Sequence, residues 1–157
     1  MKPIALALQH ILPHRMLSRL MYHLMRIRFK PIKHFTLNRM IKAFNINMDE
    51  AASANYDDYE HFNAFFTRAL KSSVRPIDNM SDSIISPVDG VVSQVGAIKD
   101  GRIFQAKGHE FTCKELLATE FDEDFKNGQF ITIYLSPKDY HRMHAPIACE
   151  LKTMRHI

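Results

Sequence analysis

Acidic residues are absent from the first third of the sequence. No Asp or Glu occurs from Met1 to Met48. The same segment contains nine basic residues: Lys2, Arg15, Arg19, Arg26, Arg28, Lys30, Lys33, Arg39 and Lys42. The other 109 residues contain 12 basic and 17 acidic side chains, so the net charge of +4 combines a basic arm (residues 1–48) with an acidic body. A basic arm of this kind indicates a partner of negative charge.

Two further absences exclude other classes of protein. The two cysteines, Cys113 and Cys149, are too few for a disulfide framework and indicate reduced thiols. The longest uncharged run of the arm is residues 3–14, whereas a bilayer is crossed by about 20 apolar residues. Gln9 and His10 interrupt this run and no small-residue cleavage site follows. We therefore expect neither a membrane-spanning helix nor a signal peptide.

Apolar residues of the arm recur with helical spacing. The main helix is predicted to begin near Pro13, and its apolar face contains Met16, Leu17, Leu20, Met21, Leu24 and Met25. A shorter helix is expected in residues 3–12, and a third in residues 36–46 with Thr36 as the N-cap. Such helices are consistent with three roles: binding in a membrane surface, binding nucleic acid, or packing on their own domain. Aromatic residues are not interleaved with the charges, so nucleic acid is the least favoured and we expect no nucleic-acid partner.

The body changes from helix to strand along the chain. Residues 57–70 predict a helix with Asp57 or Asp58 as the cap, and Thr112 with Glu115 predicts a capping box for a short helix. Strands are expected at residues 84–86, 90–98, 102–108, 129–135 and 147–154, with a hairpin turn at 99–101. The prediction is an α+β fold with N-terminal amphipathic helices followed by a mainly antiparallel sheet. We expect this fold to be incomplete, because the last residues still follow a strand pattern.

Candidate chemistry is concentrated in LSPKDYHRMHAP, residues 135–146. His141 and His144 lie three residues apart, directly after an apolar strand, and imidazole can accept and return a proton near neutral pH. A metal site needs a third ligand, and none occurs at a suitable spacing, so no metal is expected. A basic histidine is usually held by a carboxylate. Asp89, in SPVDGVVSQVG, is the best candidate, although Asp-Gly also occurs in simple tight turns.

These motifs carry a family resemblance. SPVDGVVSQVG, QAKGHEFTCKELL and NGQFITIYLSPKDYHRMHAP together resemble the phosphatidylserine decarboxylases, pyruvoyl-dependent enzymes that produce phosphatidylethanolamine. FNAFFTRAL, VRPID and the basic arm resemble the N-terminal region of that family. The resemblance implies that residues 1–48 associate with the membrane and that residues 49–157 form the N-terminal part of the catalytic domain. It also implies a peripheral location on the cytoplasmic side of the cell membrane, with anionic phospholipid and phosphatidylserine as partners.

The resemblance further implies roles for the three candidate residues. Members of the family cut themselves at the serine of a Leu-Gly-Ser-Thr motif, and that serine becomes the covalent pyruvoyl cofactor. Asp89 would orient His144, His144 would act as the base in self-cleavage, and His141 would serve the decarboxylation. No Leu-Gly-Ser-Thr occurs in these 157 residues. We therefore expect the chain to be inactive alone and to need the small subunit that carries the serine.

Two alternatives stay open from the sequence. A non-catalytic membrane-binding module or a relic of the enzyme would retain the basic arm without the chemistry. A metal hydrolase using His141 and His144 is a weaker alternative.

Overall fold

The computed structural model describes residues 13–78, 80, 82–105, 109–118 and 125–154. The chain divides into two compact units, Met1–Arg75 and Pro76–Ile157. The helix predicted in residues 3–12 lies outside the described residues. Helices and small antiparallel sheets together confirm the predicted α+β class.

The first unit contains three α-helices, α1 (His14–Leu24), α2 (Lys30–Phe44) and α3 (Phe62–Phe66). Two short 3-10 helices, Met48–Glu50 and Tyr56–Asp58, lie between α2 and α3. The predicted start of α1 is confirmed, because Pro13 is its N-cap. The amide of Asn63 donates to the carbonyl of Met25 at 3.0 Å, which ties the end of α1 to α3.

Two predicted caps were wrong. Thr36 lies inside α2, which begins six residues earlier with Pro31 in its first turn, and the Thr36 hydroxyl donates to the Lys33 carbonyl at 2.8 Å. Proline is well suited to a first turn because the amide it lacks would have no partner there. Asp57 and Asp58 belong to the 3-10 helix Tyr56–Asp58. The extended residue His61 caps α3 instead, with Nδ1 accepting from the Ala64 amide at 3.0 Å.

The core of the first unit distinguishes α2 from α1. Buried side chains of α2 and the segments after it form one cluster: Leu37, Ile46, Tyr59 and Phe65. The third predicted helix therefore packs on its own domain. By contrast, none of the residues His14–Leu24 is buried, and Met16 and Leu20 are 71% and 54% exposed. Among the described residues, the apolar face of α1 is thus exposed.

Part of the positive charge of the basic arm is matched within the same unit. Arg28 forms an ion pair with Glu60 at 2.7 Å, and Lys30 with Asp57 at 3.3 Å. Lys33 is buried, and its Nζ donates to the Tyr59 carbonyl at 2.8 Å and lies 3.7 Å from Asp57 Oδ1. The chain itself therefore supplies some of the acidic partners that the arm requires.

The second unit contains two two-stranded sheets. Strand β1 (Val91–Ala97) pairs antiparallel with β4 (Gln129–Tyr134), and β2 (Arg102–Gln105) pairs antiparallel with β3 (His109–Thr112). Helix α4 (Cys113–Leu117) follows β3 and has the predicted capping box of Thr112 and Glu115. A small core is formed by Ile98, Ile103, Cys113 and the partly buried Phe130.

The turn predicted at residues 99–101 is confirmed, but the hairpin is not continuous. Asp100 (φ 51°) and Gly101 (φ 73°) form a two-residue turn, closed by two backbone hydrogen bonds between Lys99 and Arg102. Positive φ at both central positions is the geometry that Asp-Gly favours in hairpins. Beyond this bridge β1 pairs with β4, because the apolar strand 129–134 covers the length of β1.

Two predicted strands were wrong. Residues 84–86 and 147–154 adopt no regular strand. Leu151 and Met154 are exposed, so the later segment gains nothing from burial. Residues 84–86 do lie beside the segment that contains His144 and Pro146. Pro87 and Pro146 explain why these residues do not form a regular strand.

Candidate active site

The two motif segments lie side by side. The Ile85 amide donates to the Pro146 carbonyl at 3.0 Å, and the His144 amide donates to the Pro87 carbonyl at 2.8 Å. Antiparallel strands normally exchange a reciprocal pair of such bonds at each of these positions. Pro87 and Pro146 have no N–H, so only one bond of each pair can form. The result is half of an antiparallel ladder that joins the segment of Asp89 to the segment of His144.

Asp89 lies at the junction of two pairings. Two residues before it, Pro87 bonds to His144; two residues after it, Val91 pairs with Tyr134. Gly90 has φ 136°, and a Cβ atom there would lie 2.5 Å from the Tyr134 carbonyl oxygen. Only glycine tolerates both conditions, so the path of the backbone requires Gly90 irrespective of any chemistry at Asp89. Asp89 and His144 are therefore brought into neighbouring segments of backbone.

His141 is held by the turn that precedes it. The Asp139 amide donates to the Ser136 carbonyl at 2.9 Å, and Asp139 Oδ2 accepts from the Ser136 amide at 2.6 Å. The Ser136 carbonyl also accepts from His141 Nε2 at 3.1 Å. A carbonyl can only accept, so Nε2 carries the hydrogen and the lone pair of the neutral ring is at Nδ1.

His144 has a different kind of partner. Its Nε2 is 3.1 Å from the Tyr140 hydroxyl, and the two rings stack with centroids 5.5 Å apart. A hydroxyl can donate or accept, so Nε2 of His144 can be the nitrogen that bears the lone pair. Sequence reasoning missed Tyr140. Its spacing of four residues from His144 was a weak signal, because that spacing implies contact only within a helix.

Two other kinds of feature are absent from the described residues. These residues contain no group of three or more His, Cys, Asp or Glu side chains that could hold a metal ion. Within the same residues, no helix has the length and apolar character needed to cross a membrane.

Comparison with known proteins identifies the family. The family model described as "Phosphatidylserine decarboxylase" matches residues 62–157, which include Asp89, His141 and His144. The chain belongs to the phosphatidylserine decarboxylase family. A second model, described as "PSD", matches residues 4–45 and so includes α1 and most of α2. The resemblance found in the sequence motifs is therefore confirmed.

Relatives from three bacteria show the extent of this similarity, and each is named a phosphatidylserine decarboxylase proenzyme. The Azotobacter vinelandii protein is 47% identical over 151 residues, which are 95% of this chain and 53% of the relative. The Saccharophagus degradans protein is 49% identical over 154 residues, covering 97% and 54%. The Shewanella pealeana protein is 46% identical over 159 residues, covering 100% and 55%. The chain thus spans about half the length of the curated relatives it matches.

Proposed function

We propose that this chain supplies the acid and base side chains of a pyruvoyl-dependent phosphatidylserine decarboxylase, which produces phosphatidylethanolamine. The observation that carries the proposal is the hydrogen bond from the His144 amide to the Pro87 carbonyl. That bond joins the Pro-Val-Asp-Gly segment to the Tyr-His-Arg-Met-His segment, in a chain that belongs to this family.

The proposed roles combine what the family resemblance implies with the backbone contact between the two segments. Asp89 orients His144, which takes the proton from a serine hydroxyl as that oxygen attacks the preceding peptide carbonyl. The serine belongs to a Leu-Gly-Ser-Thr motif on polypeptide outside these 157 residues, which corresponds to the small subunit and its flanking strands. His141 has its neutral lone pair at Nδ1, so that atom is suited to carrying a proton during decarboxylation. The pyruvoyl group formed from the serine supplies the electron sink as carbon dioxide leaves.

Complementation tests this proposal. The chain is co-expressed with the half of the Azotobacter vinelandii relative that it does not cover. We expect mass spectrometry to find a pyruvoyl-blocked fragment cut from that half, and phosphatidylethanolamine to form from phosphatidylserine. Asp89→Asn and His144→Gln should abolish cleavage, whereas His141→Gln should permit cleavage and lower decarboxylation.

A His→Gln variant outside the site tests whether loss of any histidine impairs the two steps. His14→Gln, at the exposed start of α1, should leave both steps unchanged. Cleavage at the normal rate with His144→Gln would contradict the assigned base. Neither cleavage nor product with any variant would favour a non-catalytic module.

We propose that the location is the cytoplasmic surface of the cell membrane, with α1 as the peripheral anchor. The exposed apolar face of α1 and the arginines on its other face suit an interface containing anionic lipid. The exposed apolar face alone would also suit the non-catalytic alternative, because membrane binding through α1 requires no chemistry in the second unit. Vesicle binding without any cleavage under complementation would support that alternative.

Flotation with vesicles tests the anchor separately from the catalysis. Vesicles containing phosphatidylglycerol should retain the chain, and pure phosphatidylcholine vesicles should retain much less. Leu20→Glu places a charge on the apolar face and should reduce binding about tenfold, since burying an unpaired charge is costly. Ser18→Glu adds the same charge on the opposite face and should reduce binding far less. Equal losses from both variants would contradict insertion through this face.

A further inference from the structure

The contact between Tyr140 and His144 has a consequence for the timing of proton transfer. We propose that Tyr140 is a positioning residue: its hydroxyl donates to Nε2 of His144 and occupies that nitrogen until the nucleophilic hydroxyl replaces it. The inference rests on the proposed function, because it takes His144 as the base of self-cleavage.

The two histidines of the loop differ in the chemistry of their partners. Nε2 of His141 faces a carbonyl, which fixes a hydrogen on that nitrogen. Nε2 of His144 faces a phenol, which can donate to a lone pair. The stacked rings, 24° from parallel, hold this phenol in place. The same short loop therefore allows opposite tautomers for its two imidazoles.

The Tyr140 contact must be temporary, because His144 has two ring nitrogens and three proposed partners. An imidazole has two nitrogens, and the proposed base needs one for Asp89 and one for the serine hydroxyl. Tyr140 already occupies Nε2, so it and the serine cannot both be bonded there. Exchange of one neutral hydroxyl for another leaves the number of hydrogen bonds unchanged, whereas loss of Asp89 would remove the charged partner that stabilises the imidazolium. Tyr140 is therefore the partner that is displaced.

Nitrogen NMR of the purified chain, with ¹⁵N-labelled histidine and a neutral imidazole, tests the contact directly. We expect His144 to show its lone pair at Nε2 and His141 to show its lone pair at Nδ1. Tyr140→Phe preserves the stacked ring but removes the donor, so Nε2 of His144 should keep its lone pair, because Asp89 holds the hydrogen on Nδ1, and its signal should shift to that of a lone pair without a hydrogen-bond donor. Tyr56→Phe is the matched control, because Tyr56 meets His34 only edge-on, with ring centroids 5.7 Å apart. It should change neither signal of His144.

The wild-type spectrum alone can overturn the proposal. A hydrogen on Nε2 of His144 would show that Tyr140 accepts and does not hold the base form. This outcome needs no variant, so a folding defect in Tyr140→Phe cannot obscure it. An unchanged His144 spectrum in a folded Tyr140→Phe chain would overturn the proposal equally.

The complementation system supplies a second readout. Tyr140→Phe should speed self-cleavage up to about fivefold, because the neutral hydrogen bond that it removes exists before the serine hydroxyl binds and is absent from the transition state. Decarboxylation by enzyme that has already been processed should be unaffected, since cleavage is then complete. Equal losses in both steps would show a merely structural role. If no variant is ever cleaved, the proposed function fails, while the NMR result still decides the Tyr140 contact.

Discussion

Gly90 lies against the carbonyl oxygen of Tyr134, and a Cβ atom at position 90 would be only 2.5 Å from that oxygen. Its φ of 136° is also outside the range that other residues readily adopt. Gly90→Ala should therefore destabilise the second unit by roughly 1–3 kcal/mol and displace the neighbouring Asp89. Denaturant unfolding measures the first effect, and complemented self-cleavage measures the second.

Gly128→Ala is the control for that substitution. Its Cβ would meet only ordinary contacts, the nearest being the Phe125 carbonyl oxygen at 3.5 Å. We expect little change in stability from this variant. Equal destabilisation by both variants would show that loss of glycine, and not the contact with Tyr134, is responsible.

Lys33 is a buried residue that stabilises the first unit through a hydrogen bond. The side chain is 4% exposed, and its Nζ donates to the Tyr59 carbonyl. Lys33→Met keeps much of the apolar stem but removes this donor, which should cost about 1–3 kcal/mol. Urea unfolding followed by helical circular dichroism measures the loss. Lys42→Met, at an exposed position of the same helix, should have little effect, and a similar loss there would contradict the specific role of Lys33.

Acid should weaken the first unit through Asp57. Its hydrogen bond with Lys30, assisted by His34 and opposed by desolvation, holds the pKa of the Asp57 carboxyl below the ordinary 3.8. A lowered pKa in the folded state means that the carboxylate stabilises the fold above pH 3.8 and that this contribution is lost as the pH falls through the lower value. Thermal unfolding across that range should show a smaller acid sensitivity in Asp57→Asn than in the wild type. Asp49→Asn, on the other 3-10 helix, should retain the wild-type sensitivity.

One face of the β1–β4 sheet should promote aggregation. Val92 pairs with Ile133 and Val95 with Ile131, and the bulge between positions 92 and 94 keeps both valines on this face. Val92, Val95 and Ile131 are 53%, 67% and 55% exposed, and a two-stranded sheet is marginal by itself. Val95→Lys should lower self-association measured by light scattering. Ser72→Lys adds the same charge at an exposed position of the first unit, and an equal improvement there would point to net charge instead.

Sequence patterns predicted the elements whose determinants are local. The Thr112–Glu115 capping box, the Asp-Gly turn at residues 100–101 and strand β4 each depend on a few adjacent residues, and the structure has all three. The caps at Thr36 and Asp57 were wrong because Pro31 and Asn55 form earlier or tighter turns. The segment at residues 84–86 was predicted as a strand, and Ile85 does bond to Pro146. Regular pairing is prevented because Pro87 and Pro146 have no N–H to donate.

The site was predictable as a set of residue types but not as an arrangement. Asp89, His141 and His144 were recognised from two motifs, and the structure adds that the backbone of the two motifs is hydrogen-bonded. Tyr140 could not be identified as a site residue from the sequence, because its stacking on His144 depends on the path of an irregular loop. Complementation with the Asp89, His141 and His144 variants tests the roles of the three residues.

The ion pairs of Arg28, Lys30 and Lys33 change how the charge of the N-terminal segment should be counted. Of its eight cations within the described residues, three have carboxylates of the same chain as neighbours, so a bilayer does not experience the full formal charge. Adhesion to lipid should accordingly depend less steeply on ionic strength than nine cations would suggest, and most of its ionic strength dependence should come from the arginines of the first described helix.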